Sequence, residues 1–409
     1  MRARKKLRLA LGTFALALVC AALTGEIALR RLERTRRSVP ETMPYLYYQH
    51  ERLRYALVRN GSYYGWAHVN AQGFRGKENV SEEKPRGVLR VMAVGGSTTF
   101  DTTVSGDLRA WPARLQFYLR ELAPEKRVEV INAGVPGYRD VDNLIRLETE
   151  LYRYRPDVIL LYEVHNDLYE ALKAASGAPE GATDRPDEMP VATPWGRWLS
   201  RSSLLYMKLI NLSKVARFKS AGRRSAVSPE EMSARLAGAL ARGATDFART
   251  LTAFVAVANS LGIHVVMPEV GNVSGAGTLA ETDPEIRQVW EVNFPFTTPE
   301  VVLGGYLRFN DAVRRVARCA ASATYLPTAG FGLRGTRWYA PYDPIHSNDP
   351  GADRMGRKMA EALIARGLLA PRPASPARCA DGQQAAGSAG PTLGSAPASE
   401  PLAKARPDR

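Results

Sequence analysis

Through the middle of the chain, short runs rich in β-branched residues alternate with stretches whose apolar residues recur every three or four positions. The runs fall at residues 91–94, 128–131, 158–161, 264–267 and 324–326. Run 91–94 is apolar on consecutive residues, as a strand buried on both sheet faces should be. The periodic stretches read as helices: Trp111, Leu115, Leu119 and Leu122 share one face, then come Leu144, Leu147 and Leu151, an Ala-rich stretch at 228–261, and residues 307–319. Ser228, Pro229, Glu230 and Glu231 form a helix start, with an N-cap, an N1 proline and early acids. Strands alternating with helices predict an α/β fold, a parallel sheet of five strands sandwiched between helical layers.

Outside this region the pattern changes three times. Residues 1–8 form a basic tail, and residues 9–29 are apolar except for Glu26, about the length needed to span a bilayer. An uncleaved transmembrane signal anchor with an extracytoplasmic body is the expectation; a cleaved signal peptide, with Ala21 and Ala22 near its end, is the alternative. Val19 before Cys20 argues against a lipoprotein. Residues 30–87 read as a Tyr- and Arg-rich linker and N-terminal extension. Residues 174–227 interrupt the α/β alternation as an insertion, with a lid as one role for it, and include an apolar segment at 204–209. The Ala, Pro, Ser and Gly composition of 370–409 cannot bury enough surface to fold, so a disordered tail is expected there.

Composition narrows the picture further. A hydrophobic content of 45% is that of a globular protein with a real core. The net charge of +15 suggests nucleic acid at first, but residues 1–37 hold ten Lys or Arg against Glu26 and Glu33, which accounts for more than half of it. No basic stripe with interleaved aromatics and no zinc-finger pattern remains, so nucleic acid is not an expected partner. Cys20, Cys319 and Cys379 lie in unrelated contexts and imply neither a disulfide framework nor a metal cluster.

The candidate chemistry begins where the first strand ends. Gly95 and Gly96 permit a tight turn that leaves Ser97 at the carboxyl edge of the sheet, where open α/β folds bind ligands. A linker does not normally leave a core strand directly, and no Lys follows the glycines as in a phosphate-binding loop. A serine that merely caps a helix stays open. A nucleophilic serine needs a base and a group that orients the base. Of the five histidines, His50 and His68 precede the sheet and His264 sits in a strand, where packing is the natural role. His165 ends the third strand and fits either role. His346 lies three residues after Asp343 on a loop before a helix, close enough for the carboxylate to hold the ring; a turn with a capping Asp and an exposed His is the plainer reading.

In chain order, these residues resemble the SGNH or GDSL hydrolase superfamily, in a variant with Gly-Gly-Ser-Thr in place of Gly-Asp-Ser. The resemblance runs over residues 88 to 366. Its blocks are Gly95, Gly96, Ser97 and Thr98; Asn132, Ala133, Gly134 with Gly137; Asn166 and Asp167; and Asp343 with His346. It implies a flavodoxin-like sheet in a three-layer α/β/α sandwich at 88–369, with a Ser97, His346, Asp343 triad. The implied oxyanion hole comprises the backbone N–H groups of Ser97 and Gly137 and the Asn166 amide, and no metal or organic cofactor is implied. Gly96 departs from the commoner Asp, and Val164 from the commoner Gly, which is expected to narrow the pocket or alter the loop that aims Asn166. The expectation is a membrane-anchored serine esterase acting on an acyl ester, with the O-acetyl group of an envelope saccharide as one candidate. An O-acyltransferase with the same site and a non-catalytic binding module are the rivals.

Overall fold

The computed structural model describes residues 2–36, 47–63 apart from 49 and 54, 67–176, the positions 203, 205, 206 and 209, and 229–275, 283–294 and 297–369. The 370–409 tail and most of the 174–227 insertion lie outside the described residues. The first helix, α1 (Arg2–Arg36), contains a 20-residue stretch, Gly12–Arg31, of mean hydropathy 1.8. At about 1.5 Å per residue it reaches roughly 30 Å, long and apolar enough to cross a membrane, as an anchor or a signal sequence would be. Phe14, Leu16, Leu18, Val19, Leu23 and Ile27 are exposed on it. Glu26 is bonded on this helix: Arg30 donates to it at 2.6 Å, and Ser203 Oγ and the Leu205 N–H each donate at 2.9 Å.

Two antiparallel ribbons follow, β1 (Tyr47–Tyr48) with β2 (Ala56–Leu57) and β3 (Ser62–Tyr63) with β4 (Ala67–His68). They are too short to be stable alone. Leu53, Tyr55, Leu57, Ala67 and Val69 bury themselves instead against Phe100, Val135 and Tyr138 in a second small core.

The main sheet comprises β5 (Val88–Gly95), β6 (Arg127–Asn132), β7 (Val158–Tyr162), β8 (His264–Pro268) and β9 (Ala323–Leu326), all parallel, in the order β6-β5-β7-β8-β9. Every residue of β7 and β8 is buried, which explains why their sequences carry no alternation. The first connection runs to one side of β5 and the next crosses to the other. The carboxyl ends of β5 and β7 therefore flank the crevice where such sheets bind ligands.

The helices are α2 (Ser97–Phe100), α3 (Trp111–Leu122), α4 (Asp140–Thr149), α5 (His165–Ser176), α6 (Pro229–Ser260), α7 (Pro284–Asn293), α8 (Pro299–Cys319) and α9 (Asp349–Ala365). One layer pairs α3 with α9, and the other packs α4, α5 and α8 against α6. Three readings of the sequence are corrected here. The helix expected at 307–319 begins at Pro299; Gly304 and Gly305 mask its pattern, and a Cβ on Gly305 would lie 2.4 Å from Leu168 Cδ1 of α5. Helix α7 was not anticipated, although Asp283 caps it by accepting from the Ile286 N–H at 3.3 Å. Cys319 is disulfide-bonded, which three scattered cysteines gave no spacing to suggest; Cys20 is free.

One contact ties the fold to the crevice. The loop after β6 crosses so close to α2 that a Cβ on Gly134 would lie 2.2 Å from the Phe100 nitrogen and 2.7 Å from the Thr99 carbonyl carbon. Gly134→Ala must push α2 or the loop aside. We expect a loss of roughly 1–3 kcal/mol in a urea unfolding series, the usual cost of overpacking. An unchanged midpoint would mean that this contact is looser than the structure places it.

Candidate active site

Strand β5 ends at Gly95, Gly96 is the N-cap of α2, and Ser97 opens that helix. No side chain caps α2. The half-buried Ser97 hydroxyl instead faces His346, with Oγ 2.7 Å from Nε2. The other ring nitrogen, Nδ1, lies 2.7 Å from Asp343 Oδ2. Oδ1 of Asp343 accepts from the N–H groups of Ile345 and His346 at 2.9 and 2.8 Å. The carboxylate is therefore fixed on both oxygens. The backbone at Tyr342 is left-handed, with φ of 60°, and Asn293 holds its carbonyl at 2.7 Å. A strained residue beside such a loop persists only where neighbours over-determine it.

The two loops that carry Ser97 and His346 are stitched together. Thr103 Oγ1 donates to the Ser347 carbonyl at 2.6 Å, Ser347 Oγ donates to Asp101 Oδ1 at 2.9 Å, and Ser105 N–H donates to Asp349 Oδ1 at 2.8 Å. Asp101 Oδ2 also accepts from the Trp111 N–H at 2.8 Å. Burial pushes the Asp101 carboxyl up to about 6 despite the nearby Arg75. For His346, burial disfavours the imidazolium, but the Asp343 carboxylate and its hydrogen bond outweigh burial and Asp101 adds to them, so the pKa is raised above 6.5. Burial likewise opposes the Asp343 charge, yet His346 and the two N–H donors hold this carboxyl below the usual range.

Across the crevice, Gly137 has φ of 79° and lies beneath Tyr55, whose hydroxyl donates to the Pro136 carbonyl at 2.8 Å. Tyr138 returns the bond, donating to the Tyr55 carbonyl at 2.5 Å. Asn166, in the first turn of α5, donates from Nδ2 to the Tyr138 carbonyl at 2.7 Å. Its amide has two N–H groups, so this bond orients the side chain and leaves the second for another acceptor. Asn166 is thereby tied to the residue that follows Gly137.

Beneath this turn sit buried acids. Burial, with Asp167 next in effect, pushes Glu163 well above the ordinary carboxyl range, although the Asn166 and Gly96 N–H groups pull the other way. Burial and Asp167 raise Asp140 similarly, and Asp167 is itself raised by burial. Asp167 Oδ2 accepts from the Asp140 N–H at 3.1 Å, so the two carboxyls meet in a place that disfavours charge on both. Among the described residues, no three His, Cys, Asp or Glu side chains group as a metal site would need.

The remaining histidines fall into place. His264 pairs with Thr324 Oγ1 at 2.9 Å, and His68 with Asp107 Oδ2 at 2.6 Å. His50 Nε2 lies 3.6 Å from Glu150. His165 bonds the Tyr306 hydroxyl and packs with Phe294 and Tyr169, and burial pushes its pKa down to about 3, the charge of His346 adding to this. It is a packed, neutral ring. Val164 is fully buried in the main core, so it lines no pocket mouth, contrary to one expectation from the sequence. Sequence reasoning missed Asp101, Ser347, Glu163 and Tyr55. The first two flank the motifs already identified, and Tyr55 carries no local signal at all.

No protein-family model matches the chain, and no curated protein matches it. Solved structures similar to it include a putative GDSL-like lipase from Parabacteroides merdae, at 13% identity over 68% of this chain and 96% of that chain, with a TM-score of 0.38. They also include the acetyl xylan esterase AlAXEase (14%, 68% and 99%, TM-score 0.38) and Axe2, an acetylxylan esterase from Geobacillus stearothermophilus (15%, 68% and 93%, TM-score 0.36).

The two crevice histidines should titrate differently. In an NMR titration the His346 ring should show a midpoint above 6.5, and the His165 ring none between about pH 5 and 9. Asp343 stabilises the imidazolium, so Asp343→Asn should lower the His346 midpoint. A midpoint that stays put would remove Asp343 as the partner of this ring.

Proposed function

We propose that the chain is a serine hydrolase of the SGNH type that cleaves acyl esters. The observation that carries this reading is the continuous Ser97, His346, Asp343 chain of hydrogen bonds at the carboxyl end of β5, with both links at 2.7 Å. His346 Nε2 would take the Ser97 proton as Oγ attacks the ester carbonyl, while Asp343 holds the ring in the required tautomer and stabilises the imidazolium. The carbonyl oxygen, becoming negative, would be met by the Ser97 and Gly137 N–H groups and the Asn166 amide. His346 would then protonate the departing alkoxide, and water would release the acyl group from Ser97 by the reverse roles. Donors fixed in advance in this way are each worth about 10² to 10³ in turnover.

The proposal extends to place and substrate. With α1 as an uncleaved anchor, the body would stand outside the cytoplasm, against the envelope. The substrate class to test first is a short acyl ester, such as the O-acetyl group of an envelope saccharide. Carbonate washing should leave the chain in the membrane fraction, because about 20 buried apolar residues far outweigh surface electrostatics. Recovery of a soluble chain beginning near residues 22–26 would support a signal peptide instead.

Ser97→Ala should abolish both fluorophosphonate labelling and ester hydrolysis, with the thermal midpoint nearly unchanged because the hydroxyl lies at the sheet edge. Residual turnover above about 1% would point to another nucleophile. Because the base must be neutral and its pKa is raised, the acidic limb of kcat/KM should fall above 6.5. Asn166→Ala should lower kcat by about 10² to 10³ with little change in KM, since the bond strengthens only as charge develops. Labelling of Ser97 without transfer to water, but with transfer to a sugar hydroxyl, would select the acyltransferase.

A further inference from the structure

We propose that Glu163 is a positioning residue for the nucleophile: from the end of β7 its carboxyl fills the space beneath Gly96 and keeps the Ser97 turn in register with Asn166. This rests on the reading of Ser97 as the nucleophile. Glu163 immediately follows the last residue of β7 and is only 4% exposed. Its Oε1 accepts from the Asn166 N–H at 3.4 Å. A Cβ built on Gly96 would lie 2.8 Å from Glu163 Oε2, 2.5 Å from Asn166 Nδ2 and 3.2 Å from the Tyr138 carbonyl oxygen. Four groups therefore converge on one point: the residue before the nucleophile, the candidate oxyanion amide, the carbonyl that orients this amide, and the Glu163 carboxyl.

Gly96 has φ of −88° and ψ of −146°, so no left-handed backbone reserves the position for glycine. What excludes a side chain at 96 is the pair of side chains already there, the Asn166 amide and the Glu163 carboxyl. A side-chain carboxyl borne by residue 96 and the one borne by residue 163 are thus alternative occupants of a single volume. Either can brace the turn, but not both.

The alternation can be tested with the full-length chain in detergent, comparing Glu163→Ala, Gly96→Asp and the double variant by kcat and KM on a small aryl ester, fluorophosphonate labelling rate and thermal midpoint. Glu163→Ala should lower kcat and labelling by about 10- to 100-fold with KM nearly constant, the scale expected for a slightly misplaced group. Gly96→Asp should lower both activity and midpoint because the added side chain meets the Asn166 amide and the Glu163 carboxyl. The double variant should recover at least about tenfold over the worse single variant and regain midpoint, and Glu163→Gln, of the same shape, should stay close to the parent. Should Glu163→Ala not fold, Glu163→Asp withdraws the carboxyl by one methylene and should show the same fall in kcat. An unchanged kcat in Glu163→Ala or Glu163→Asp, a double variant no better than the worse single one, or midpoints that couple while labelling does not would each overturn the positioning role. If the parent itself neither labels nor hydrolyses, the reading of Ser97 fails first, and the midpoints alone report whether the two carboxyls share one volume.

Discussion

Everything at the crevice depends on a hydrogen bond between two residues 249 positions apart, Ser97 and His346. A bond so remote in sequence is only as well placed as the elements on either side of it. Ser97 is set by the sheet, through β5 and the loop that presses on α2. His346 is set by α9, whose Met355, Met359 and Leu363 are buried in the same core as Leu115 and Leu119 of α3. Apolar burial of this kind contributes about 1.5–3 kcal/mol per large side chain, and the partly buried bonds of Asp353 to Arg114 and Tyr118 at 2.5 and 2.9 Å add to it. The side-chain bonds of Asp101, Thr103 and Ser105 add direction to that packing.

Two histidines near the crevice show how environment decides role. His165 and His346 are both largely enclosed, and enclosure alone would make both neutral. Asp343 reverses the outcome for one of them by placing a fixed negative charge against its ring. His165 meets a tyrosine hydroxyl and aromatic faces, which offer no such charge. Similar chemistry is thereby divided into a ring that can carry a proton and a ring that packs. The acids follow the same logic. Asp343 is paired and stays charged, whereas Glu163 and Asp140 are crowded against Asp167 and are favoured in the neutral form.

The parts of the molecule that could be read in advance are those whose cause is local. Consecutive apolar residues at 91–94 and at 158–161 announce strands covered on both faces, and these are β5 and β7. Ser97 after two glycines and the Asp343, His346 spacing are local too, and the structure brings these three side chains into contact. Asn166 bonds the carbonyl of Tyr138, next to Gly137. What could not be read is set by contact between distant segments. Tyr55 reaches Pro136 from a stretch that reads as linker, and no pattern around it says so. Gly305 weakens the helical signal of α8 because α5 needs the room. Val164 suggests a pocket wall until the fold turns it inward. Glu163 is an unremarkable acid in the sequence and becomes informative only when Gly96 is seen above it.

The position of α9 in the chain has a consequence in time. A chain made from its amino end can close β5, β6 and β7 and form the glycine turn long before residue 346 exists, and domains do assemble in that direction during synthesis. Until α9 docks on α3, Ser97 stands without its contact to His346. A fragment that ends before residue 346 lacks that contact, however well its sheet has formed. The turn at the end of β5 waits for a partner made 249 positions later.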